Sequence, residues 1–338
     1  MSTVPNQPYR LFAHIGSPYS MKMRALLRYR RIPHVVMGRM SDWATAFGNV
    51  RVPVMPVLEY PDGSFHNDST PLIRDLEKRH PDRSARPADE ADAFVAELLE
   101  DLADEWLSKA MYAYRWAFPD HTQWTGRLIA FDQHFGGGRS FIEQQGHDFE
   151  TRQVGRNALV GCTDANLPML IHIAETVLDA LEPNIPERPF LFGTRPSNAD
   201  FALFGQLCQF TLDLAAIEPC QRRAPYTMRW CHHVHDLSGL EGRWRNEDES
   251  ISPAVRALLE LAGEAYLPFL IANQAALDSG ADRVQIDAHG LRYEGTPFKY
   301  QAKCLAELRA GYSALSSQAR QTVDPLLTEH GCLTALAS

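Results

Sequence analysis

Apolar and polar positions near the start of the chain predict a strand, a helix and a second strand in that order. Apolar and polar residues alternate over residues 9–15 well enough to predict a β-strand that ends at Gly16. In residues 21–31, apolar residues recur at helical spacing and basic residues take the other positions, which predicts an amphipathic helix. Residues 34–37 predict a short strand, whereas residues 38–51 show no clear period.

Two more strands and a helix follow. Short strands are predicted at 56–60 and 64–67, because the Pro-Asp-Gly sequence at 61–63 is a strong hairpin turn signal. A helix opens at Asp68 and Ser69, and we expect Ser69 to be its N-cap. The predicted order is therefore β-α-β, a connection, and β-β-α.

The remainder of the chain has helical periodicity and no comparable run of alternating strands. Apolar stripes run through residues 94–106, 170–181 and 201–217. The acidic residues around these stripes are interpreted as solvated faces. Ser197 and Asp200 have capping-box spacing directly before the third stripe, with Asp in place of the usual Glu.

Charge is distributed unevenly along the chain. Residues 1–80 hold 11 Lys and Arg against 6 Asp and Glu, whereas residues 81–338 hold 22 against 36. A small basic domain would suit a small anionic ligand. The alternative is that the basic surplus is one solvated helix face.

These patterns divide the chain into three predicted units. Residues 1–81 form an α/β domain, residues 90–270 an all-helical domain, and residues 271–338 a helical extension packed on the second domain. The 338 residues are enough for two domains of ordinary size. An apolar stripe over residues 299–315 indicates that the extension docks as a helix.

Composition excludes several classes of function. A net charge of −9 and a pI near 5.8 do not supply the basic footprint that nucleic-acid binding requires. Apolar runs fall short of the ~20 residues of a membrane span, and the N-terminus lacks the pattern of a signal peptide. Six cysteines without a CxxC pair indicate reduced thiols, so we expect a cytoplasmic protein that binds neither nucleic acid nor membrane.

Three motifs in this order resemble those of the soluble glutathione transferase superfamily. The first is Ser-Pro-Tyr-Ser-Met-Lys-Met-Arg at residues 17–24. The second combines Met-Pro-Val-Leu at 55–58 with Asp-Gly at 62–63 and Asp-Ser at 68–69, and the third is the capping segment 193–201. The resemblance implies a thioredoxin-like N-terminal domain followed by an all-helical domain. The extension goes beyond what this family usually has.

The resemblance implies a serine-type glutathione transferase with Ser17 as the catalytic residue. A thiol with a pKa near 8.5 is only about 3% thiolate at pH 7, and the thiolate is the nucleophile. A hydroxyl hydrogen bond to the thiolate contributes roughly 1.5–3 kcal/mol, which lowers the thiol pKa by about one to two units. A helix N-terminus contributes about 0.3–1 kcal/mol more. Ser17 precedes the first helix and is placed for both effects.

Other interpretations of this turn stay open. Ser17 could be a plain N-cap without a ligand, and Ser20 competes with it for the cap position. Tyr19 is a second candidate for the hydroxyl donor. Because Ser stands where thiol-exchange members have Cys, a mixed disulfide cannot form at this position, which argues against glutaredoxin-like reduction.

The resemblance also assigns the residues that hold glutathione. Pro56 is expected to follow a cis peptide bond that presents the Met55 backbone to the peptide part of glutathione, with Pro53 as the rival. Asp68 is expected to receive the γ-glutamyl ammonium group. Ser69, at a helix start, is expected to receive the adjacent carboxylate.

The second substrate is expected to be an electrophilic, largely apolar molecule. Its pocket is predicted at Tyr112, Arg115 and Trp116, near the end of the first helix of the second domain. For the glycine carboxylate of glutathione, the candidates are Arg39 and Arg51.

A cluster of Cys and His at residues 231–235 raises the question of a metal. Zinc sites need four ligands at suitable spacing, and no second ligand pair is evident, so we expect no metal.

The leading function that the resemblance implies is a homodimeric glutathione transferase. The alternatives are a glutathione-dependent lyase, isomerase or dehalogenase, and a non-catalytic carrier or assembly protein with the same fold.

Overall fold

The computed structural model describes residues 7–337. The first domain contains a four-stranded sheet in the order β2-β1-β3-β4, in which β1 and β2 are parallel and the other pairs are antiparallel. Its elements are β1 (Tyr9–Phe12), α1 (Pro18–Tyr29), β2 (His34–Met37), α2 (Met40–Gly48), β3 (Val57–Glu59), β4 (Phe65–Asn67) and α3 (Ser69–Arg79). The predicted thioredoxin-like α/β domain is confirmed.

Two features of this domain were not predicted. The stretch without periodicity contains the helix α2, which buries only Trp43 and Ala46, too few apolar positions to produce a helical pattern. The Trp43 indole nitrogen donates to the Met37 carbonyl at 2.9 Å and fastens α2 to the end of β2. Ser69 is the first residue of α3 rather than its cap, and the cap position belongs to Asp68.

The next part of the chain is helical, as predicted, and its helices enclose most of the hydrophobic core. They are α4 (Glu90–Leu102), a π-helical segment (Ala103–Leu107), α5 (Ser108–Trp116), α6 (Pro119–Gln133), α7 (Arg139–Val154), α8 (Leu167–Leu181), α9 (Asn198–Phe210), α10 (Leu214–Arg223), α11 (Pro225–Val234), α12 (Pro253–Leu261), a second π-helical segment (Ala262–Tyr266) and α13 (Leu267–Ser279). Among the described residues, no helix is long and apolar enough to span a membrane.

The predicted capping box starts the buried helix α9. The Ser197 hydroxyl accepts from the Asp200 backbone N–H at 3.3 Å, and the Asp200 carboxylate accepts from the Ser197 backbone N–H at 2.8 Å. Asp200 also accepts from the Leu191 backbone N–H at 3.0 Å, so the cap fixes the preceding loop as well. All 13 residues of α9 are buried, and the helix packs against α1 of the first domain.

The C-terminal extension is not wholly helical, which corrects the sequence-based expectation. After the end of α13 it contains an antiparallel hairpin of β5 (Val284–Ala288) and β6 (Leu291–Gly295). The helices α14 (Lys299–Ser313), α15 (Ser317–Glu329) and α16 (Leu333–Leu336) follow it. α14 packs on α13 and α4, and α15 packs on α4. The boundaries of the three predicted units stay predictions.

Lys22 of α1 lies against acidic residues of α4 and the π-helical segment, so these acidic residues are not part of a solvated face, as they had been interpreted. Lys22 is fully buried, with Nζ 2.6 Å from Glu100 Oε1 and 2.5 Å from Asp104 Oδ2. Arg30 is also buried and pairs with Glu77 at 2.8 Å. One basic residue of the first domain is therefore neutralised at the interface with the helical region, whereas the Arg30–Glu77 pair lies within the first domain.

Candidate functional site

A cavity of about 400 Å³ lies where the first domain, the start of the helical region and the extension meet. Its volume is within the range of small-molecule sites. The side contributed by the first domain includes Val52, Val54, Met55, Pro56, Asp68 and Ser69. Four of these six are residues that the sequence assigned to ligand binding, and the structure brings all four together.

The peptide bond between Met55 and Pro56 is cis, as expected. Met55 lies two residues before the start of β3 and is one of the residues that line the cavity. The loop before it is tied to β4, because Asn67 Nδ2 donates to the Val52 carbonyl at 2.6 Å. The rival position, Pro53, is not among the residues that line the cavity.

Asp68 and Ser69 lie where α3 begins. Asp68 has φ = 75°, a left-handed conformation that is uncommon for a residue with a side chain and that clusters at functional sites. Its carboxylate accepts a hydrogen bond from the Tyr300 hydroxyl at 3.0 Å. Ser69 is 5% exposed, and Lys22 Nζ lies 3.5 Å from its hydroxyl oxygen. The unpaired N–H groups of the first turn of α3 favour a negatively charged ligand group.

Ser17 is the N-cap of α1, which excludes Ser20 from that position. The Ser17 side-chain oxygen accepts from the Ser20 backbone N–H at 3.3 Å. Among residues 7–337 its hydroxyl donates to no partner, so the hydrogen is available for donation. Ser17 is 9% exposed and does not belong to the cavity lining. Its role toward a sulfur atom stays a prediction.

The turn before Ser17 is held by side chains of the helical region. Arg115 Nη1 donates to the Gly16 carbonyl at 2.8 Å, and Gln209 Nε2 donates to the Ile15 carbonyl at 3.1 Å. Arg115 also donates from Nη2 to Gln209 Oε1 at 2.5 Å and from Nε to Asp213 Oδ2 at 2.8 Å. A buried polar network therefore connects α5 and α9 to the end of the first strand.

The residues predicted for the second-substrate pocket lie away from this cavity. The Tyr112 hydroxyl donates to the Gln153 carbonyl at 2.7 Å. Trp116 is buried against Phe149, and Arg115 is engaged in the network that holds the Gly16 turn. None of the three residues lines the cavity.

The opposite wall of the cavity is acidic, which sequence reasoning missed. Asp101, Asp104 and Glu105 reach it from α4 and the π-helical segment. Burial raises the pKa of Asp101 to about 7, and burial raises the pKa of the Glu105 carboxyl well above its ordinary value. The wall also carries Tyr19, whose hydroxyl donates to the Asp104 backbone carbonyl at 2.7 Å.

The helical spacing of apolar residues in α4 explains why this wall was not predicted. Acidic residues between apolar ones on a helix are usually solvated. Here they are covered by distant parts of the chain, with Lys22 against Asp104 and Tyr266 against Asp101. Tyr300 was missed for a related reason, since its contact with Asp68 joins residues 232 apart in the chain.

Other candidates lie outside the cavity. Arg39 is exposed, with Nε 3.9 Å from Asp42 Oδ2, and neither Arg39 nor Arg51 belongs to the lining. Cys231 is buried in α11. Within residues 7–337, no group of three or more His, Cys, Asp or Glu is arranged to hold a metal ion.

Comparisons with known proteins add the following. Residues 11–84 match the family model of the glutathione S-transferase N-terminal domain. The beta-etherase LigF from Sphingobium sp. strain SYK-6 is similar over 75% of this chain and 99% of its own, with 18% identity and a TM-score of 0.49. A glutathione S-transferase from Methylobacterium radiotolerans, solved with glutathione sulfonate, is similar over 72% of this chain and 100% of its own, with 18% identity and a TM-score of 0.41.

FzlA from C. crescentus is similar over 75% of this chain and 92% of its own, with 17% identity and a TM-score of 0.43. No curated protein sequence matches the chain.

Proposed function

We propose that this chain, which belongs to the glutathione transferase superfamily through its N-terminal domain, binds glutathione in the cavity and uses its thiolate on an electrophile. The observation that carries the proposal is the convergence of Met55, Pro56, Asp68 and Ser69 on one cavity wall. These residues come from two separate segments, and a fold kept only as a scaffold has no need of all four.

The peptide part and the γ-glutamyl end of glutathione each have a suitable partner on this wall. The Met55 backbone offers an N–H and a carbonyl that can pair with the peptide part as an added strand would. The Asp68 carboxylate suits the γ-glutamyl ammonium group. The adjacent carboxylate suits Ser69 and the N–H groups at the start of α3, where the helix dipole favours negative charge.

Ser17 is the proposed catalytic hydroxyl. It caps α1 through its side-chain oxygen and keeps its own hydrogen free for donation among the described residues. Ser17 does not line the cavity, but Tyr19, two residues later, does, so this role requires the sulfur of bound glutathione to reach from the cavity to the start of α1. A thiolate there would receive a charge-assisted hydrogen bond and lie at the positive end of the α1 dipole. Both effects favour the thiolate over the thiol, which raises the fraction of reactive nucleophile at neutral pH.

The second substrate is proposed to be an electrophile with an apolar portion. Val52 and Val54, both about half exposed, and the Tyr19 ring provide apolar surface along the cavity. A lyase, isomerase or dehalogenase would use the same thiolate, and a carrier would bind glutathione without forming it. The proposal includes a cytoplasmic location. It also includes a homodimer, whose mass light scattering measures.

Binding and ionisation are tested separately. Calorimetry with S-methylglutathione measures binding without thiol chemistry, and we expect Asp68→Asn to weaken it about 10-fold or more, since an ion pair is lost. The matched control is Asp282→Asn, an exposed carboxylate outside the cavity. Failure of the wild-type protein to bind S-methylglutathione would overturn the proposed function.

The thiolate is followed by ultraviolet difference absorbance of bound glutathione as the pH is raised. We expect Ser17→Ala to raise the pKa of the bound thiol by about one to two units while S-methylglutathione still binds. Ser313→Ala, at an exposed serine of α14, is the control. Binding without a thiolate signal in the wild type would favour the carrier, and an unchanged pKa in Ser17→Ala would remove Ser17 from the mechanism.

A further inference from the structure

The C-terminal extension enters the proposed glutathione site through one side chain. Tyr300, in the first turn of α14, lines the cavity together with Asp68 and Ser69. Its hydroxyl donates to Asp68 Oδ2 at 3.0 Å. The extension therefore touches the one carboxylate to which the proposed function assigns the ammonium group of glutathione.

The start of α14 is held in place from the core. Phe298 is the N-cap residue of α14, and the fully buried Asn273 bonds its backbone twice. Asn273 Nδ2 donates to the Phe298 carbonyl at 3.0 Å, and Asn273 Oδ1 accepts from the Phe298 N–H at 2.8 Å. Because Tyr300 follows two residues later, its backbone position is set by α13.

Charged pairs between α14 and α3 support the same contact. Lys303 Nζ lies 4.0 Å from Asp68 Oδ2 and 3.4 Å from Glu307 Oε1. Glu307 Oε2 in turn lies 2.8 Å from Arg74 Nη1 on α3. These side chains are partly exposed, so the pairs contribute little stability, and the firmer hold on the start of α14 comes from Asn273.

Both contacts from the extension fall on the same oxygen of Asp68. Oδ2 faces Tyr300 and Lys303, whereas Oδ1 has no hydrogen-bond or ion-pair partner among residues 7–337. A carboxylate oxygen accepts more than one hydrogen bond, and fixing one oxygen orients the other. The unusual backbone conformation of Asp68 makes such an external hold more important, because that conformation persists only where neighbours enforce it.

We propose that Tyr300 is a positioning residue of this site, and that its hydroxyl orients the Asp68 carboxylate so that Oδ1 receives the ammonium group of a glutathione-like ligand. This inference rests on the proposed function. It makes the extension a part of the site rather than an addition to the helical core. The ring of Tyr300 forms a wall of the cavity, so it also limits the ligands that fit.

A comparison of two ligands on two proteins tests the orientation. The ligands are S-methylglutathione and the S-methyl derivative of glutaryl-Cys-Gly, which lacks only the amino group. The proteins are the wild type and Tyr300→Phe, which keeps the ring. We expect Tyr300→Phe to weaken S-methylglutathione about 3- to 10-fold, as for one lost hydrogen bond, and to leave the affinity for the amino-free ligand unchanged.

Steady-state kinetics distinguish the positioning role of Tyr300 from a merely structural one. With any accepted electrophile, Tyr300→Phe should raise KM for glutathione by the same factor and leave kcat unchanged. Tyr226→Phe, at an exposed tyrosine of α11, is the control.

Equal affinities of wild type and Tyr300→Phe for S-methylglutathione would overturn the inference and leave the proposed function standing. Equal weakening of both ligands would also overturn it, because the effect would then not pass through the amino group. Absence of binding by the wild type would instead count against the proposed function itself.

Discussion

Arg115 Nη1 donates to the Gly16 carbonyl at 2.8 Å, although the two residues are 99 positions apart in the chain. The same guanidinium pairs with Asp213 and Gln209, so all of its contacts are internal. Gly16 is the residue before Ser17, the N-cap of α1. Arg115 is thus placed to position the strand-to-helix turn, rather than to contact a second substrate.

Replacement of Arg115 by Lys should impair the chemistry more than glutathione binding. A lysine ammonium cannot reproduce the planar fork that reaches three partners, so the turn before Ser17 loses its hold. We expect kcat to fall about 10- to 100-fold. The bound thiol pKa should rise, with KM for glutathione changing by less than about threefold.

Steady-state kinetics and the pH titration of bound glutathione measure these effects. Arg222→Lys, in an exposed helical ion pair with Glu218, is the control. An unchanged thiol pKa in Arg115→Lys would show that the network has no influence on Ser17.

Gly205 allows α9 to approach the start of α1 closely. A Cβ at this position would lie 2.7 Å from the Pro18 carbonyl oxygen and 3.1 Å from Lys22 Cβ. Gly205→Ala should therefore destabilise the protein by about 1–3 kcal/mol, although alanine is the better helix former. Urea unfolding measures the change. Gly48→Ala, where a Cβ meets nothing within 4 Å, should be neutral or slightly stabilising. Equal stability of the two variants would contradict this account.

Lys22 neutralises two carboxylates where the first domain meets α4. Lys22→Met keeps the apolar stem but leaves Glu100 and Asp104 buried without their cation. We expect a loss of about 3–5 kcal/mol at pH 7, which chemical denaturation detects. Lys78→Met, at an exposed position of α3, should change stability by less than about 0.5 kcal/mol. A loss as small as that of the control would mean that the carboxylates find other partners.

Asp101 should make the protein less stable as the pH rises. Burial raises its pKa from 3.8 to about 7, and the hydrogen bond from the Tyr266 hydroxyl opposes the rise only in part. Between these two values the folded carboxyl holds a proton that the unfolded carboxyl has lost, so folding stability falls as the pH increases through this window.

Asp101→Asn has no proton to lose. Its free energy of unfolding relative to that of the wild type should therefore increase by about 1–3 kcal/mol as the pH is raised from 4 to 8. Denaturation curves at several pH values measure this gain. Asp278→Asn, an exposed residue, should follow the wild type across the same range. Parallel pH profiles for Asp101→Asn and the wild type would show that another group controls the slope.

Local patterns in the sequence determined much of the fold, and the family resemblance identified four of the residues that line the cavity. The strands β1 to β4, the helix α1 and the Ser197–Asp200 capping box were predicted from the residues, whereas the cis bond before Pro56 was implied by the family resemblance. The strands, the helix and the capping box each depend on residues within a few positions of one another, so the local sequence is enough to predict them. The family resemblance then assigned two separate segments, residues 55–56 and 68–69, to one binding site.

Only the tertiary structure decided the partners of the charged and polar side chains. Lys22 meets Glu100 across 78 positions and Tyr300 meets Asp68 across 232, and helical periodicity treats all four residues as ordinary polar positions. Whether such a side chain is solvated or buried depends on which surface covers it, and that is a property of packing between distant elements. The acidic wall of the cavity follows from such packing.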